Sequence, residues 1–342
     1  MKKERTNVQP INKYLNRLEG LINNETLETL RDKKVLIVGC GGVGSNIVNR
    51  LVQHGALFPY KSDGVASSGI IEVWDGDKVG PEDYPKMAGM KAKYLPDLTN
   101  GKEGGFKVDM VHEMVEDMTP PEYRSSLKEK FITHNEFLTG DKLQEVIKEG
   151  SWDYIIECGD QMPDKLTVHK LAKEVKTKVL MTTDIHHKVS LSFFDYSDPR
   201  TELYGGNIDP TAANELLELT KTTNESESNI ERIKKLSGKI LFGFVPIFTI
   251  PSRMLRAYAY HIRKNPERPT LPQTPTATTT AGSMAVTAII MDIERGKVPN
   301  KSYVDFDWSK FNLIERIKEI AIDRPRAIIS LMKLMAEIKK DK

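Results

Sequence analysis

Three glycines spaced to cradle a phosphate, Gly39, Gly41 and Gly44, lie in the run Val35-Leu36-Ile37-Val38-Gly39-Cys40-Gly41-Gly42-Val43-Gly44-Ser45. In such a GxGxxG turn, Gly39 makes the tight bend, Gly41 lets backbone approach an anion, and Gly44 lets the following helix pack closely on the strand. The helix that starts at Gly42 then points unpaired N–H groups at the ligand. A carboxylate follows where a second strand should end. Asp75 closes Ile70–Trp74 and can accept hydrogen bonds from ribose hydroxyls, with Asp77 as a second polar contact two residues on. Asp75 stands 31 residues past Gly44, against the usual ~20, because the Pro/Ser/Gly-containing stretch 58–69 reads as an insertion. The plain alternative is a structural glycine turn followed by solvated aspartates. Nor do the glycines alone separate a nicotinamide enzyme from one that uses ATP.

These residues need a scaffold, and the hydrophobic pattern supplies one. Val35–Val38, Ile70–Trp74 and Tyr154–Cys158 are short apolar runs of the kind buried on both faces of a parallel sheet. Helical patterns over 107–118, 142–148 and 165–176 alternate with them, which predicts an α/β, Rossmann-like doubly wound sheet with flanking helices. Val179–Thr182 and Val189–Phe194 are separated by too short a gap for a helical crossover, so an antiparallel pair is expected and the sheet should be mostly parallel but mixed. One or two short helices are expected over 11–32. The polar stretch 207–237 reads as a mobile insertion carrying a charged helix over 230–236. Residues 265–280, rich in Pro and Thr, should be extended before a helix over 281–295 that Gly296 closes. Two terminal helices are expected over 311–322 and 324–340. The resulting division is an N-terminal helical segment 1–32, a nucleotide-binding domain 33–299 and a C-terminal helical extension 300–342.

Composition narrows the function. The chain has 342 residues, 50 Lys+Arg against 48 Asp+Glu and a net charge of +2, so no chain-wide field favours nucleic acid. Two cysteines, Cys40 and Cys158, preclude a disulfide framework or a four-cysteine zinc site. The longest apolar run, 240–250, is too short and too broken to span a bilayer. With no secretory signal pattern at the start, the cytoplasm is the expected compartment and no membrane partner is expected. The pair His186-His187 has no third ligand at sensible spacing and is not read as a zinc site.

The ordered set Gly39 to Gly44, Asp75-Gly76-Asp77-Lys78-Val79, Lys107 opening a helix, and Glu157-Cys158-Gly159-Asp160-Gln161 resembles the ThiF/MoeB-like adenylyltransferases, relatives of the ubiquitin-activating enzymes. The resemblance extends over about 15–296, supported by Arg17-Leu18-Glu19-Gly20-Leu21 and Thr280-Ala281-Gly282-Ser283-Met284-Ala285. It implies ATP and Mg²⁺ as cofactors, with ATP lying over the glycine loop while a carboxylate attacks its α-phosphate. In that reading Asp75 holds the ribose, Lys107 the phosphates and Asp160 the metal. Arg17 resembles an arginine that reaches a neighbouring subunit's ATP, and a homodimer is implied. The implied partner is the C-terminus of a small ubiquitin-like or sulfur-carrier protein.

The chain also departs from that pattern. A Ser-Asn-Leu-x-Arg-Gln stretch is replaced by Gly80-Pro81-Glu82-Asp83-Tyr84-Pro85-Lys86-Met87. Lys86 takes the arginine's place by simple counting, and Lys91 or Lys93 takes it if the segment is shifted; any of them offers charge without the bidentate fork. Neither cysteine reads as a mobile thiolate, so a thioester-forming activator is not expected. Two other readings stay open: an NAD(P)-dependent oxidoreductase with His169 or His187 as proton donor, and a catalytically inactive nucleotide-binding scaffold.

Overall fold

The computed structural model describes residues 12–18, 20–185, 188–221, 227–244, 250, 252–264, 273–305 and 319–340. Its strands are β1 (Lys34–Val38), β2 (Ile70–Trp74), β3 (Phe131–His134), β4 (Tyr154–Glu157), β5 (Lys178–Ile185), β6 (Lys188–Asp195) and β7 (Lys301–Asp305). Its α-helices are α1 (Asn12–Leu15), α2 (Asn24–Leu30), α3 (Gly42–Gln53), α4 (Lys107–Met118), α5 (Leu127–Lys130), α6 (Gly140–Glu149), α7 (Met162–Glu174), α8 (Pro210–Lys221), α9 (Glu227–Phe244), α10 (Ser252–Lys264), α11 (Pro275–Arg295) and α12 (Arg324–Lys340).

The strands form one mixed sheet of order β3-β2-β1-β4-β5-β6-β7. β1 to β5 run parallel, while β6 and β7 are antiparallel to their neighbours. The central β1, with 35–38 all buried, is apolar along its length because both faces are covered. On one face α3, α4 and α11 bury Ile47, Leu51, Val111, Ala281, Ala285 and Ile289 in one core with the strands, α11 lying against α3, β5 and β6. The other face carries α6, α7, α8 and α9, with Leu143, Leu166, Leu216 and Phe244 in its core. The chain builds β1, β2 and β3 outward in one direction and then returns to set β4 on the far side of β1. That reversal opens a crevice beyond the C-terminal ends of β1 and β4, the place where open α/β sheets bind ligands.

Several expectations shift. The stretch 207–237 holds α8 and the start of α9, whose Ala213, Leu216, Leu217, Ile240 and Phe244 pack into the core. α11 begins at Pro275, six residues before the expected start, because Thr274 caps it through its side chain to the Ala277 N–H (3.2 Å). Gly296, at φ +60°, closes that helix. The expected terminal helix over 311–322 and the extended run 265–280 fall in part outside the described residues.

His169 of α7 is fully buried among Phe194, Tyr204 and Phe244, with Nδ1 2.8 Å from the Tyr196 hydroxyl. Burial, reinforced by Lys165 nearby, pushes its pKa down to about 3. An imidazole held neutral in the fold stabilises it fully above the unfolded value of ~6.5 and loses that contribution as pH falls toward 3. Thermal unfolding scans from pH 7 to pH 4 should therefore show a stability loss of up to ~1.4 kcal/mol per pH unit from this group. His169→Phe should flatten that part of the profile.

Candidate nucleotide-binding site

The glycine turn is built into the sheet edge by backbone hydrogen bonds. Gly39 N–H donates to the Trp74 carbonyl (2.9 Å) and Cys158 N–H to the Val38 carbonyl (2.8 Å). Gly39 adopts φ +95°, and a side chain there would meet the Cys158 backbone at 2.8 Å. At Gly44 a methyl would collide with the Gly39 carbonyl oxygen, so the helix can approach the turn only without one. Gly41 differs: nothing lies within 4 Å of the position its side chain would take. Gly41 is also the N-cap of α3 and offers no side-chain acceptor. The first-turn N–H groups of any α-helix lack intrahelical partners. At Gly41 the approach to them is open, beside positive helix-dipole charge, an arrangement suited to an anion.

Asp75 is buried, and its two oxygens accept from Cys40 N–H (2.6 Å) and Asp77 N–H (2.8 Å). Burial raises its pKa against the pull of those N–H groups and of Lys107. One carboxylate thus fastens the glycine turn to the end of β2 and keeps a lone pair on each oxygen for a hydroxyl donor.

Lys107 reaches this place because the long β2–α4 connection returns on itself. Val79 N–H donates to the Gly105 carbonyl (2.8 Å), and Lys107 N–H donates to the Asp77 carbonyl (3.0 Å). Its Nζ lies 2.9 Å from Asp77 and 3.8 Å from Asp83. Burial works against its charge, but Asp77, Asp75 and Asp83 outweigh burial and raise its pKa. Lys86 pairs with Asp83 at 3.1 Å, and its stem lies 3.2 Å from where a Gly42 side chain would stand. Asn46 of α3 donates to the Lys86 carbonyl (3.1 Å), as does Thr278 of α11 (3.0 Å).

The structure thus brings together Gly39, Gly41, Gly42, Gly44, Asp75, Asp77, Lys86 and Lys107. Lys91 is elsewhere: it pairs with Glu113 (2.9 Å) and Asp117 on the later turns of α4, and Lys93 joins Glu113 at 2.6 Å. Asp160 is exposed just past β4 and accepts from its neighbour Gln161 (3.2 Å). Its turn is clamped from below. The fully buried Glu157 accepts Gly159 N–H (2.9 Å), while Lys165 Nζ bridges Glu157 and the Gly159 carbonyl, each at 2.5 Å.

Sequence reasoning passed over Asp83, Asn46 and the Glu157–Lys165 pair. It also set aside Thr274 to Thr280, whose Thr-Pro start is a helix-initiation signal. Of the two histidines considered as proton donors, His169 is enclosed in the core on the α7 side and His187 lies outside the described residues. Burial, with Asp75 close by, pushes the Cys40 thiol well above its ordinary range.

One surface hollow of about 210 Å³ lies at the opposite end of the strands, lined by Lys33, Trp152, Asp153, Tyr154, Lys176, Thr177, Lys178 and Ser197. Of its lining residues, Lys33 pairs with Asp153 (3.0 Å) and Lys178 with Asp292 (2.6 Å). Among the described residues no group of three or more His, Cys, Asp or Glu is placed to hold a metal ion by itself.

A doubly wound sheet with a bare glycine cradle at its reversal point defines a nucleotide-binding fold. The ThiF family profile matches residues 14–326, and the chain belongs to that family. No curated protein sequence matches it. Among solved structures it is similar to selenomethionine PaaA, with 13% identity over 82% of this chain and 63% of that one, TM-score 0.50. It is likewise similar to E. coli MccB with succinimide, with 12% identity over 82% of this chain and 62% of that one, TM-score 0.51. E. coli MccB with selenomethionine MccA gives 13% identity, 83% and 63% coverage and TM-score 0.50. The chain spans about three fifths of the length of these proteins, and the likeness is one of fold.

Two glycine substitutions should separate packing from binding. Gly44→Ala should cost about 1–3 kcal/mol in denaturant unfolding through overpacking. Gly41→Ala, whose backbone at φ −72° suits any residue, should leave stability near wild type. It should still weaken ATP binding by roughly tenfold in calorimetry, because backbone can no longer approach the phosphate.

Proposed function

We propose that this protein is an ATP- and Mg²⁺-dependent adenylyltransferase. It activates a carboxylate, the C-terminus of a small ubiquitin-like or sulfur-carrier protein, and passes the acyl group to an external nucleophile rather than to a cysteine of its own. The observation that carries the reading is the uncapped N-terminus of α3 at Gly41, open to an anion and flanked by two lysines. A carboxylate oxygen of the acceptor attacks the α-phosphorus, the bond from that phosphorus to the bridging oxygen breaks, and pyrophosphate departs with the electron pair. Catalysis of this kind is positioning plus electrostatics. Backbone N–H groups of the cradle orient the phosphates and Asp75 takes the ribose. Lys107 and Lys86 exchange Asp77 and Asp83 for phosphate oxygens as negative charge builds. That exchange is easier for Lys107, since Asp77 is half exposed and regains water.

Mg²⁺ is commonly held by one or two carboxylates together with substrate phosphates. The exposed Asp160, on a turn fixed by Glu157 and Lys165, fits that donor set and would hold the ion. When bound, the ion supplies positive charge against the phosphate oxygens. The soft and reactive alternatives are disfavoured by Cys40, whose raised pKa suppresses the thiolate an acyl carrier needs. Among the structural relatives, MccB has been crystallised with MccA, which supports an acceptor presented by another chain. A homodimer is part of the proposal, and Arg17 is exposed as a residue acting on a neighbouring subunit must be.

The deciding measurement is ATP–pyrophosphate exchange with candidate small proteins as acceptors. Asp160→Ala and Lys86→Ala should each lower exchange by about 100-fold, whereas Lys91→Ala should stay within about twofold because Lys91 is engaged on α4. Absence of exchange with every candidate acceptor, exchange unaffected by Asp160→Ala, or tighter binding of NADH than of ATP would overturn the reading.

A further inference from the structure

We propose that α10, backed by α12, is a docking surface for single-stranded nucleic acid, separate from the glycine cradle. The exposed face of α10 presents Arg256, Tyr260, Arg263 and Lys264, at spacings that align on one side of a helix. The opposite face is spent on packing. Leu255 and Ile262 are buried against Ala327, Leu331 and Leu334 of α12. α10 carries Arg253 as well and no carboxylate. α12 carries Arg324, Arg326, Lys333, Lys339 and Lys340 against Glu337 alone, with Arg326 and Lys333 exposed. The adjoining turn holds Glu319 and Asp323. Among the described residues no ion pair engages Arg256, Arg263 or Lys264, whereas the lysines of the cradle are each paired.

The chain's near-zero sum therefore hides a segregation: nine cationic residues face one carboxylate on these two helices, and the remainder is net acidic. The expectation of no nucleic-acid partner rests on the sum and does not see it. The stripe from Arg256 to Lys264 is about 12 Å long at 1.5 Å per residue. Tyr260 is 59% exposed within the stripe, and a phenol ring flanked by guanidinium groups is a stacking platform that any unpaired base can use. A membrane surface would call for aliphatic residues on the same face, and the exposed face of α10 has none; the exposed Ile329 and Met332 belong to α12.

Fluorescence anisotropy of the full chain with a labelled single strand of about 20 nucleotides, as RNA and as DNA, tests this between ~50 and 200 mM salt. Binding of either strand is expected. The triple variant Arg256→Glu, Arg263→Glu, Lys264→Glu should weaken it at least tenfold and reduce the slope of log K against log salt by about 2. Tyr260→Ala should weaken it about fivefold or more with the slope unchanged. Thermal midpoints should stay at wild type because all four side chains are exposed. The proposal fails if the wild type binds no strand, if the triple variant binds as well, or if a duplex of the same sequence binds as tightly. It also fails if phosphatidylserine vesicles are bound in preference to the strand.

Discussion

A single buried carboxylate holds the ligand end of this fold in register. Asp75 accepts one N–H from the glycine turn after β1 and one from its own turn after β2, so two loops that belong to different strands share one anchor. Its burial would be costly without those donors, and Lys107 adds charge from the third side. The same arrangement fixes Lys107, since the connection that carries it folds back onto Asp77. Cradle, Asp75 and Lys107 are therefore one hydrogen-bonded unit, and none of them is positioned by local sequence alone.

Much of this was legible in the residues. β1, β2 and the start of α4 were visible because apolar runs and glycines punctuate them, and the antiparallel β5–β6 pair because the gap between them is short. β3 was not, since only Phe131 of its four residues is buried and no apolar run marks it. β7, an edge strand of largely polar residues, is likewise unmarked by an apolar run. The start of α11 was obscured by threonines, whose intrinsic helix preference is weak; the Thr274 cap and Pro275 outweigh it. The polar composition of 207–237 concealed α8, whose Ala212, Ala213, Leu216 and Leu217 are buried. At the site, the motif gave the glycines and aspartates, but the choice between Lys86 and Lys91 depends on a tertiary contact with Gly42 that spacing does not encode.

Charge is organised in two contrasting ways. Around the cradle, every lysine has a carboxylate at hand, which keeps the site near neutral until a polyanion competes for the cations. Among the described residues Arg256, Arg263 and Lys264 of α10 stand without such partners, and their field reaches into solvent to about a Debye length, ~8–10 Å at physiological salt. Whole-chain totals average these regimes away.

The carbonyl of Lys86 is gripped from one side by Asn46 and from the other by Thr278, and a side chain at Gly282 would strike the Asn46 backbone at 2.8 Å. One wall of the motif's cleft is made more than two hundred residues after the motif itself. At ~5–20 residues per second, roughly 10 to 50 s of synthesis separates the two events. During that interval the nascent chain holds the glycine turn without the helix that closes over it, so nucleotide capture awaits the synthesis of that helix.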